Sequence, residues 1–107
     1  MRKSFDQSCP VARTLDLIGE RWTILILRDL LVKGPQRFQA LHDSLAGAAP
    51  NTLSARLKTL EKQGLIEGKL YSEHPPRYEY HLTDRGRSLG PVLAALRDWG
   101  RRNTGKG

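Results

Sequence analysis

The hydrophobic pattern of this chain changes its period at Gly64, and this change constrains the possible folds more than any other feature of the sequence. Before it, Leu53, Leu57 and Leu60 form one stripe at helical spacing. This stripe predicts a helix that begins near Asn51, its expected N-cap, and ends at the glycine. After the glycine, apolar and polar residues alternate, a pattern typical of strands.

The elements on either side of that helix define a known arrangement. Residues 65–71 predict a first strand, residues 72–76 a loop, and residues 77–82 a second strand. On the other side, apolar spacing over residues 38–45 predicts a shorter helix, and a small, rigid turn at residues 46–50 joins the two helices. Two short helices joined by a tight turn and followed at once by a hairpin make a winged helix-turn-helix.

The predicted fold class is therefore mainly α with a small β-hairpin wing, in a single domain. A first helix is expected from Pro10, and an apolar central helix runs from Trp22 until Gly34 ends it. Thr83 is expected to cap the last helix, with a kink at residues 90–91. The predicted segments are a mobile N-terminus at 1–8, a domain at 9–103, a helix-turn-helix at about 38–63, a wing at about 65–82, a last helix at about 84–102 and a tail at 104–107.

Composition narrows the class of partner. The chain has 107 residues, a formal charge of +7 and a pI near 10.1, and a basic domain of this kind attracts polyanions such as nucleic acid. No segment has the apolar length of a membrane span or a signal peptide, so we expect a cytoplasmic protein without membrane contact. With one cysteine, and with His42 and His81 far from acids in the pattern, neither a metal nor a cofactor is expected.

The helix near residues 51–63 carries hydrogen-bonding, cationic or small residues opposite its leucine stripe. Such residues let a helix approach base edges in the major groove, while lysines neutralise phosphates. Arg56 lies nearer the buried edge, where it has three alternatives: a phosphate, a base or an acid of the protein. The candidate DNA-binding residues of this recognition helix are Asn51, Thr52, Ser54, Ala55, Arg56, Lys58, Thr59 and Lys62.

The predicted wing favours DNA binding over an ordinary solvated surface as the interpretation of this helix. Taken alone, the helix slightly favours an ordinary solvated surface, because every surface helix has a polar face. The hairpin adds Lys69, His74 and Arg77, and Pro75 next to Pro76 stiffens the loop that holds them. His74 by itself is as well explained as an exposed loop residue. The alternative function is a winged-helix module for protein–protein interaction without DNA binding.

The residues also match a known family over nearly the whole chain. The matching segments are residues 9–11, 15–19, 21–23, 53–61, 64–66 and 76–83, with further single matches from Gly86 to Gly100. As a set, in this order, they resemble the HxlR-type transcriptional regulators, a branch of the MarR-like winged-helix group. One departure is Ala49 and Pro50, where the family often has isoleucine and serine, so this chain lacks the serine hydroxyl that could contact a phosphate there.

The resemblance implies a transcriptional regulator that binds a roughly palindromic operator as a homodimer. It places much of the dimer interface on the first and last helices, and the last helix has an apolar stripe without an evident partner in its own chain. The implied interface residues are Val11, Leu15, Leu89, Val92, Leu93, Leu96 and Trp99.

Cys9 has two interpretations. It matches the position at which some family members sense oxidants or electrophiles, and the start of a helix near Arg2, Lys3 and Arg13 favours a thiolate. The alternative is a small residue buried under the first helix. A thiol enzyme built on Cys9 is disfavoured, because no histidine or acid lies in an activating pattern and the chain has no resolving cysteine. The controlling signal, whether redox, electrophile or small molecule, stays open.

Overall fold

The structure is a computed structural model that describes residues 8–105. Apart from Ser8, the predicted mobile segment at 1–8 lies outside the described residues, as do residues 106 and 107 of the predicted tail. Within the described range the elements are α1 (Pro10–Ile18), α2 (Arg21–Lys33), β1 (Gln36–Arg37), α3 (Phe38–Ser44), α4 (Pro50–Lys62), β2 (Ile66–Glu73), β3 (Pro76–Leu82), α5 (Asp84–Arg87) and α6 (Gly90–Asn103). This order confirms the predicted class, mainly α with a small β wing.

The recognition helix α4 begins one residue earlier than predicted, and Asn51 does not cap it. Ala49 occupies the N-cap position in an extended conformation, and no side chain accepts a hydrogen bond from the first turn. Pro50 explains this start, because its ring fixes a helical φ and it has no N–H that needs an acceptor. Asn51 is therefore an exposed residue of the first turn.

The wing has a shorter loop than the pattern predicted. The strands β2 and β3 stay paired as far as Ser72 with Arg77 and Glu73 with Pro76, beyond an irregularity that follows Leu70. The predicted loop at 72–76 was therefore too long. Backbone pairing continues through Ser72 and Glu73, although apolar and polar side chains no longer alternate there.

The short extended piece before α3 is an edge strand, β1. Gln36 pairs with Tyr80 and Arg37 with Glu79, so in the described chain the sheet has the order β1-β3-β2. This pairing attaches the start of α3 directly to the wing.

The single last helix that the sequence predicted is broken into α5 and α6. Thr83 accepts a hydrogen bond from the Gly86 N–H at 3.1 Å, which confirms its capping role, but the helix that it caps ends at Arg87. Pro91 lies in the first turn of α6. A proline cannot donate to a carbonyl four residues back, so the chain starts a new helix there instead of bending one.

The core lies between α2, α3, α4 and the base of the wing. The central helix α2 is buried on one side only, since Val32 is 77% exposed although the sequence predicted a helix buried almost all round. No helix among the described residues is long and apolar enough to cross a membrane. The buried apolar residues are Ile18, Ile26, Leu27, Leu30, Leu41, Leu45, Ala48, Leu53, Leu57, Leu60, Leu65 and Ile66.

Candidate nucleic-acid interface

The outer face of α4 carries most of the residues that the sequence selected. Leu53, Leu57 and Leu60 are buried in the core, so the opposite side of the helix faces outwards. Thr52 and Arg56 are half-buried at the edge of this face. The exposed candidates on the helix are Asn51, Ser54, Ala55, Lys58, Thr59 and Lys62.

Two lysines give this face its charge. Lys58 and Lys62 are four residues apart, so they lie one turn from each other on the same side of the helix. Neither has a carboxylate partner among residues 8–105. Between them, the Thr59 hydroxyl donates to the Ala55 carbonyl at 3.1 Å, which leaves its lone pairs available to an outside donor. The face is therefore cationic and offers both donors and acceptors.

Arg56 contacts an acid of the protein. Its Nε lies 3.5 Å from Glu20 Oε1, and both side chains remain more than a third exposed. The same carboxylate oxygen accepts from the Thr23 backbone N–H at 2.8 Å, as the N-cap of α2. Of the three alternatives for Arg56, the structure brings it to the acid, and sequence reasoning missed Glu20 because the partner lies in another helix.

The C-terminal end of α4 is held by the segment that follows the wing. The Thr83 hydroxyl donates to the Gly64 carbonyl at 2.6 Å, and the Arg85 guanidinium donates to the Gln63 carbonyl. These carbonyls follow the last turn of a helix, where no intrahelical donor is available. Thr83 therefore caps α5 and anchors α4 at once, which sequence reasoning did not foresee.

Glu61 ties the same end of α4 to the wing. Its Oε2 accepts from the Gly68 backbone N–H at 3.2 Å. Tyr80 lies beside this contact, and burial, reinforced by the negative charge of Glu61 and by Tyr78, raises the pKa of its hydroxyl. The recognition helix and the wing thus form one connected unit.

The three wing candidates are all exposed. Lys69 lies opposite Glu79 in the β2–β3 pair, His74 follows the end of β2 at the tip, and Arg77 lies opposite Ser72. None of the three candidates has an ion-pair partner in the described chain. The wing therefore presents cations outwards, as the sequence predicted.

The histidines do not indicate a metal site. His81 was expected to lie far from acids, but its Nε2 is 3.0 Å from Glu79 Oε1, because residues two apart on a strand share a face. This is one pair, and residues 8–105 contain no group of three potential ligands that could hold a metal ion.

The predicted interface residues divide into two groups. Leu89 and Leu93 are half-buried against the chain's own core. The others are exposed by 40% or more, so the apolar stripe of α6 has one inner and one outer edge. The exposed fractions are 67% for Val11, 52% for Leu15, 40% for Val92, 53% for Leu96 and 59% for Trp99.

Apolar grooves run along the outer edge of α6. One, of about 440 Å³, lies between α1 and α6, and another, of about 560 Å³, lies between α2 and α6. Leu96 and Ile24 line both grooves, which makes the two continuous. This surface of α1, α2 and α6 is apolar and accessible.

Cys9 is the N-cap residue of α1 and is half-buried. Its backbone carbonyl accepts from the Arg13 N–H at 3.0 Å, while its thiol makes no capping hydrogen bond. Arg2 and Lys3, which the sequence placed near Cys9, lie outside the described residues.

Comparisons with known proteins agree with this architecture. Residues 17–107 match the family model described as HxlR-like helix-turn-helix. The HTH-type transcriptional regulator sll1512 of Synechocystis is 46% identical over 92 residues, which cover 86% of this chain and 67% of that protein. A protein of Porphyromonas gingivalis W83 assigned to the MarR family superposes with a TM-score of 0.84 at 33% identity, covering 95% of this chain and 99% of its own. The redox regulator HypR, in its oxidized form, superposes with a TM-score of 0.81 at 33% identity, covering 89% of this chain and 97% of its own. This chain belongs to the HxlR-like helix-turn-helix family of transcriptional regulators.

Proposed function

We propose that this protein is a sequence-specific DNA-binding regulator that acts as a homodimer on a roughly palindromic operator. The observation that carries the proposal is the outer face of α4. There Lys58 and Lys62 lack carboxylate partners in the described chain and lie among small and hydrogen-bonding residues. The exposed cations of the wing extend the same charge.

The dimensions of α4 suit the major groove. With 13 residues it is about 20 Å long, and the groove of B-form DNA is wide enough to admit a helix. Ser54 and Ala55 are short, so the helix axis can approach the base edges closely. Thr52 and Ser54 can then contact bases, while Lys58 and Lys62 neutralise phosphates.

Dimerisation through α1 and α6 accounts for the apolar outer surface. Leu15, Leu96 and Trp99 are each more than half exposed, and a contiguous apolar patch of this kind marks an interaction site. A twofold axis would place the same patch of each subunit against the other. Two α4 helices would then enter successive major grooves, about one helical turn apart.

The test is DNA binding with the duplex from the region upstream of the neighbouring gene, measured by fluorescence anisotropy. We expect affinity to fall on the order of a thousandfold between roughly 50 and 200 mM salt, because several phosphates are contacted. Lys58→Gln and Arg77→Gln should weaken binding to every sequence, whereas Thr52→Ala and Ser54→Ala should alter the preference among sequences.

Arg101→Gln is the matched control. Arg101 is exposed on α6, so its loss removes the same charge from an element other than α4 and the wing. Absence of binding at the lowest salt would overturn the proposal. So would an equal loss of affinity in the Arg101 and Lys58 variants, because binding would then depend on total charge alone.

We also propose Cys9 as the sensor of an oxidising signal. Its half-buried thiol lies at the start of α1, next to the exposed Val11 of the proposed interface. Two Cys9 thiols, one from each subunit, can form a disulfide by giving two protons and two electrons to an oxidant such as diamide. HypR, a relative of similar fold, is described as a redox regulator.

Diamide treatment tests this role. We expect it to change the DNA affinity of the wild type at least tenfold and to produce a covalent dimer on a non-reducing gel, with neither effect in Cys9→Ser. An equal response of the serine variant would assign the signal elsewhere, for example to a small molecule.

A further inference from the structure

A cleft that sequence reasoning did not foresee lies between the start of α3 and the wing. It has a volume of about 490 Å³ and carries two arginines and three tyrosines, and we call it the Arg37 cleft. Its lining residues are Arg37, Phe38, Gln39, Tyr71, Pro76, Arg77, Tyr78 and Tyr80.

Arg37 is held over an exposed ring in this cleft. Its guanidinium carbon lies 3.9 Å from the centroid of the Tyr71 ring, which is a close cation–π contact. A guanidinium presents five N–H donors, and stacking uses its face rather than these donors. The edge of Arg37 therefore stays available to an anion, and the ring restricts its motion beforehand.

No acid of the described chain neutralises the two arginines. Glu79 pairs with Arg37 across the β1–β3 register, but its carboxylate contacts His81 at 3.0 Å instead. Arg77 likewise has no ion-pair partner within residues 8–105. Two arginines without an ion-pair partner in the described chain thus line one exposed cleft.

The position of the cleft relates it to the recognition helix. It extends from Gln39, in the first turn of α3, to Arg77 on the wing. In helix-turn-helix proteins the first helix crosses the DNA backbone while the second enters the groove. In this fold α3 is the first helix and α4 the second, so with α4 in the groove the cleft at the start of α3 would lie near the DNA backbone.

We propose that the Arg37 cleft binds the phosphodiester backbone of DNA beside the groove that α4 enters, with Arg37 as the principal contact and Arg77 as the second. This inference rests on the proposed DNA-binding function. An arginine fork matches the oxygens of a phosphate, and Tyr71 positions the fork. Because phosphates are the same in every sequence, the cleft contributes affinity and register but no sequence preference.

Arg37→Gln tests the contact. Because the variant removes the contact from both subunits of the proposed dimer, we expect binding to weaken about a hundredfold for every duplex, about tenfold for each lost charge-assisted hydrogen bond. The slope of log affinity against log salt should fall by about 1.8, which is about 0.9 for each phosphate. Tyr71→Ala should cause part of this loss, and the double variant should lose little more than Arg37→Gln, because both changes disable the same contact. Arg101→Gln should leave affinity unchanged.

Shortened duplexes locate the contact. Removing base pairs from the ends should abolish the difference between wild type and Arg37→Gln once the contacted phosphates are gone. Arg37→Lys keeps the charge but not the forked donors of the guanidinium, so it should retain only part of the affinity. It serves as the second variant if Arg37→Gln melts at a lower temperature than the wild type.

The outcomes separate the inference from the function on which it rests. If the wild type binds DNA and Arg37→Gln and Arg37→Lys match its affinity and salt slope, the cleft is not a DNA contact, although the proposed function stands. If Arg37→Gln changes the preference among sequences, Arg37 contacts bases and the phosphate assignment is wrong. If the wild type binds no duplex, the proposed function itself fails.

Discussion

Glu20 is a residue with two partners in different elements. It caps α2 through the Thr23 N–H at 2.8 Å and lies 3.5 Å from the Arg56 Nε on α4. A cap hydrogen bond to a carboxylate satisfies a backbone donor that the helix leaves unpaired. A half-exposed ion pair, by contrast, contributes little to stability. The cap hydrogen bond therefore contributes more to folding stability than the ion pair, although both use the same carboxylate oxygen.

Glu20→Ala separates them. We expect it to lower the free energy of unfolding by about 1 kcal/mol, measured by urea denaturation, because the first turn of α2 loses its cap. Glu20→Ser keeps a capping oxygen but not the ion pair, so it should recover most of the loss. A serine variant as unstable as the alanine variant would show that the contact with Arg56 dominates.

Tyr80 predicts a dependence on alkaline pH. Burial raises the pKa of its hydroxyl in the folded state, with Glu61 adding to the effect. Above about pH 10, unfolded tyrosine loses its proton while folded Tyr80 keeps it, so the unfolded state gains stability as the pH rises. We expect the wild type to lose more unfolding free energy between about pH 8.5 and 10.5 than Tyr80→Phe does.

Tyr71→Phe provides the comparison for this pH effect. It removes a hydroxyl from an exposed ring on the neighbouring strand. Its alkaline loss of stability should match the wild type. If Tyr80→Phe also matched the wild type, Tyr80 would not carry the dependence.

At the scale of elements, α5 packs against the end of α4. Its Gly86 packs so closely on the residue before β2 that an added Cβ would lie 2.1 Å from the Leu65 carbonyl oxygen. Thr83 and Arg85 donate to carbonyls at the end of α4 from the same short segment. These contacts hold α5 against the end of α4 and the residue that precedes β2.

Gly86→Ala should be strongly destabilising. The clash is with backbone, which cannot turn aside as a side chain can, and we expect a loss of about 3 kcal/mol in unfolding free energy. Gly90→Ala is the matched control, since an added Cβ there would lie 3.9 Å from Leu31 Cδ2. It should be neutral or slightly stabilising. Equal melting temperatures for the two variants would contradict the packing argument.

At the scale of the whole molecule, the candidate DNA-binding cations and the apolar grooves lie on different elements. α4 and the wing carry exposed cations, while α1, α2 and α6 carry the continuous apolar grooves that Leu96 and Ile24 line. Burial of apolar surface drives association, and cationic surface attracts DNA. The two surfaces therefore serve different partners without competing.

Leu96→Glu tests the apolar surface. A buried, unpaired carboxylate at the centre of an interface is costly, so we expect a protein that is dimeric as wild type to become monomeric, measured by analytical ultracentrifugation. The monomer should bind operator DNA at least tenfold more weakly, since two half-sites no longer act together. Arg101→Glu, an exposed position about 140° around α6 from Leu96, is the control and should leave the mass unchanged. A dimeric Leu96→Glu protein would place the interface elsewhere.

The sequence by itself determined the order of the elements as far as Thr83 and the orientation of α4. Its leucine stripe repeats at helical spacing, so the stripe identifies the buried side of the helix. Ser54, Lys58 and Lys62 lie on the other side and are therefore exposed. The alternation in β3 and the cap at Thr83 are equally local signals, within a few residues of what they control. These local features of the fold were predicted correctly, whereas the DNA-binding role of the exposed residues stays a prediction.

Only the tertiary structure decided which distant groups meet. It set Arg56 against Glu20, divided the stripe of α6 between core and surface, and brought Arg37 onto Tyr71 across the sheet. Each of these depends on strand register or on the packing of one helix against another. Periodicity shows which side of an element is apolar, but it carries no information about the element that will cover that side.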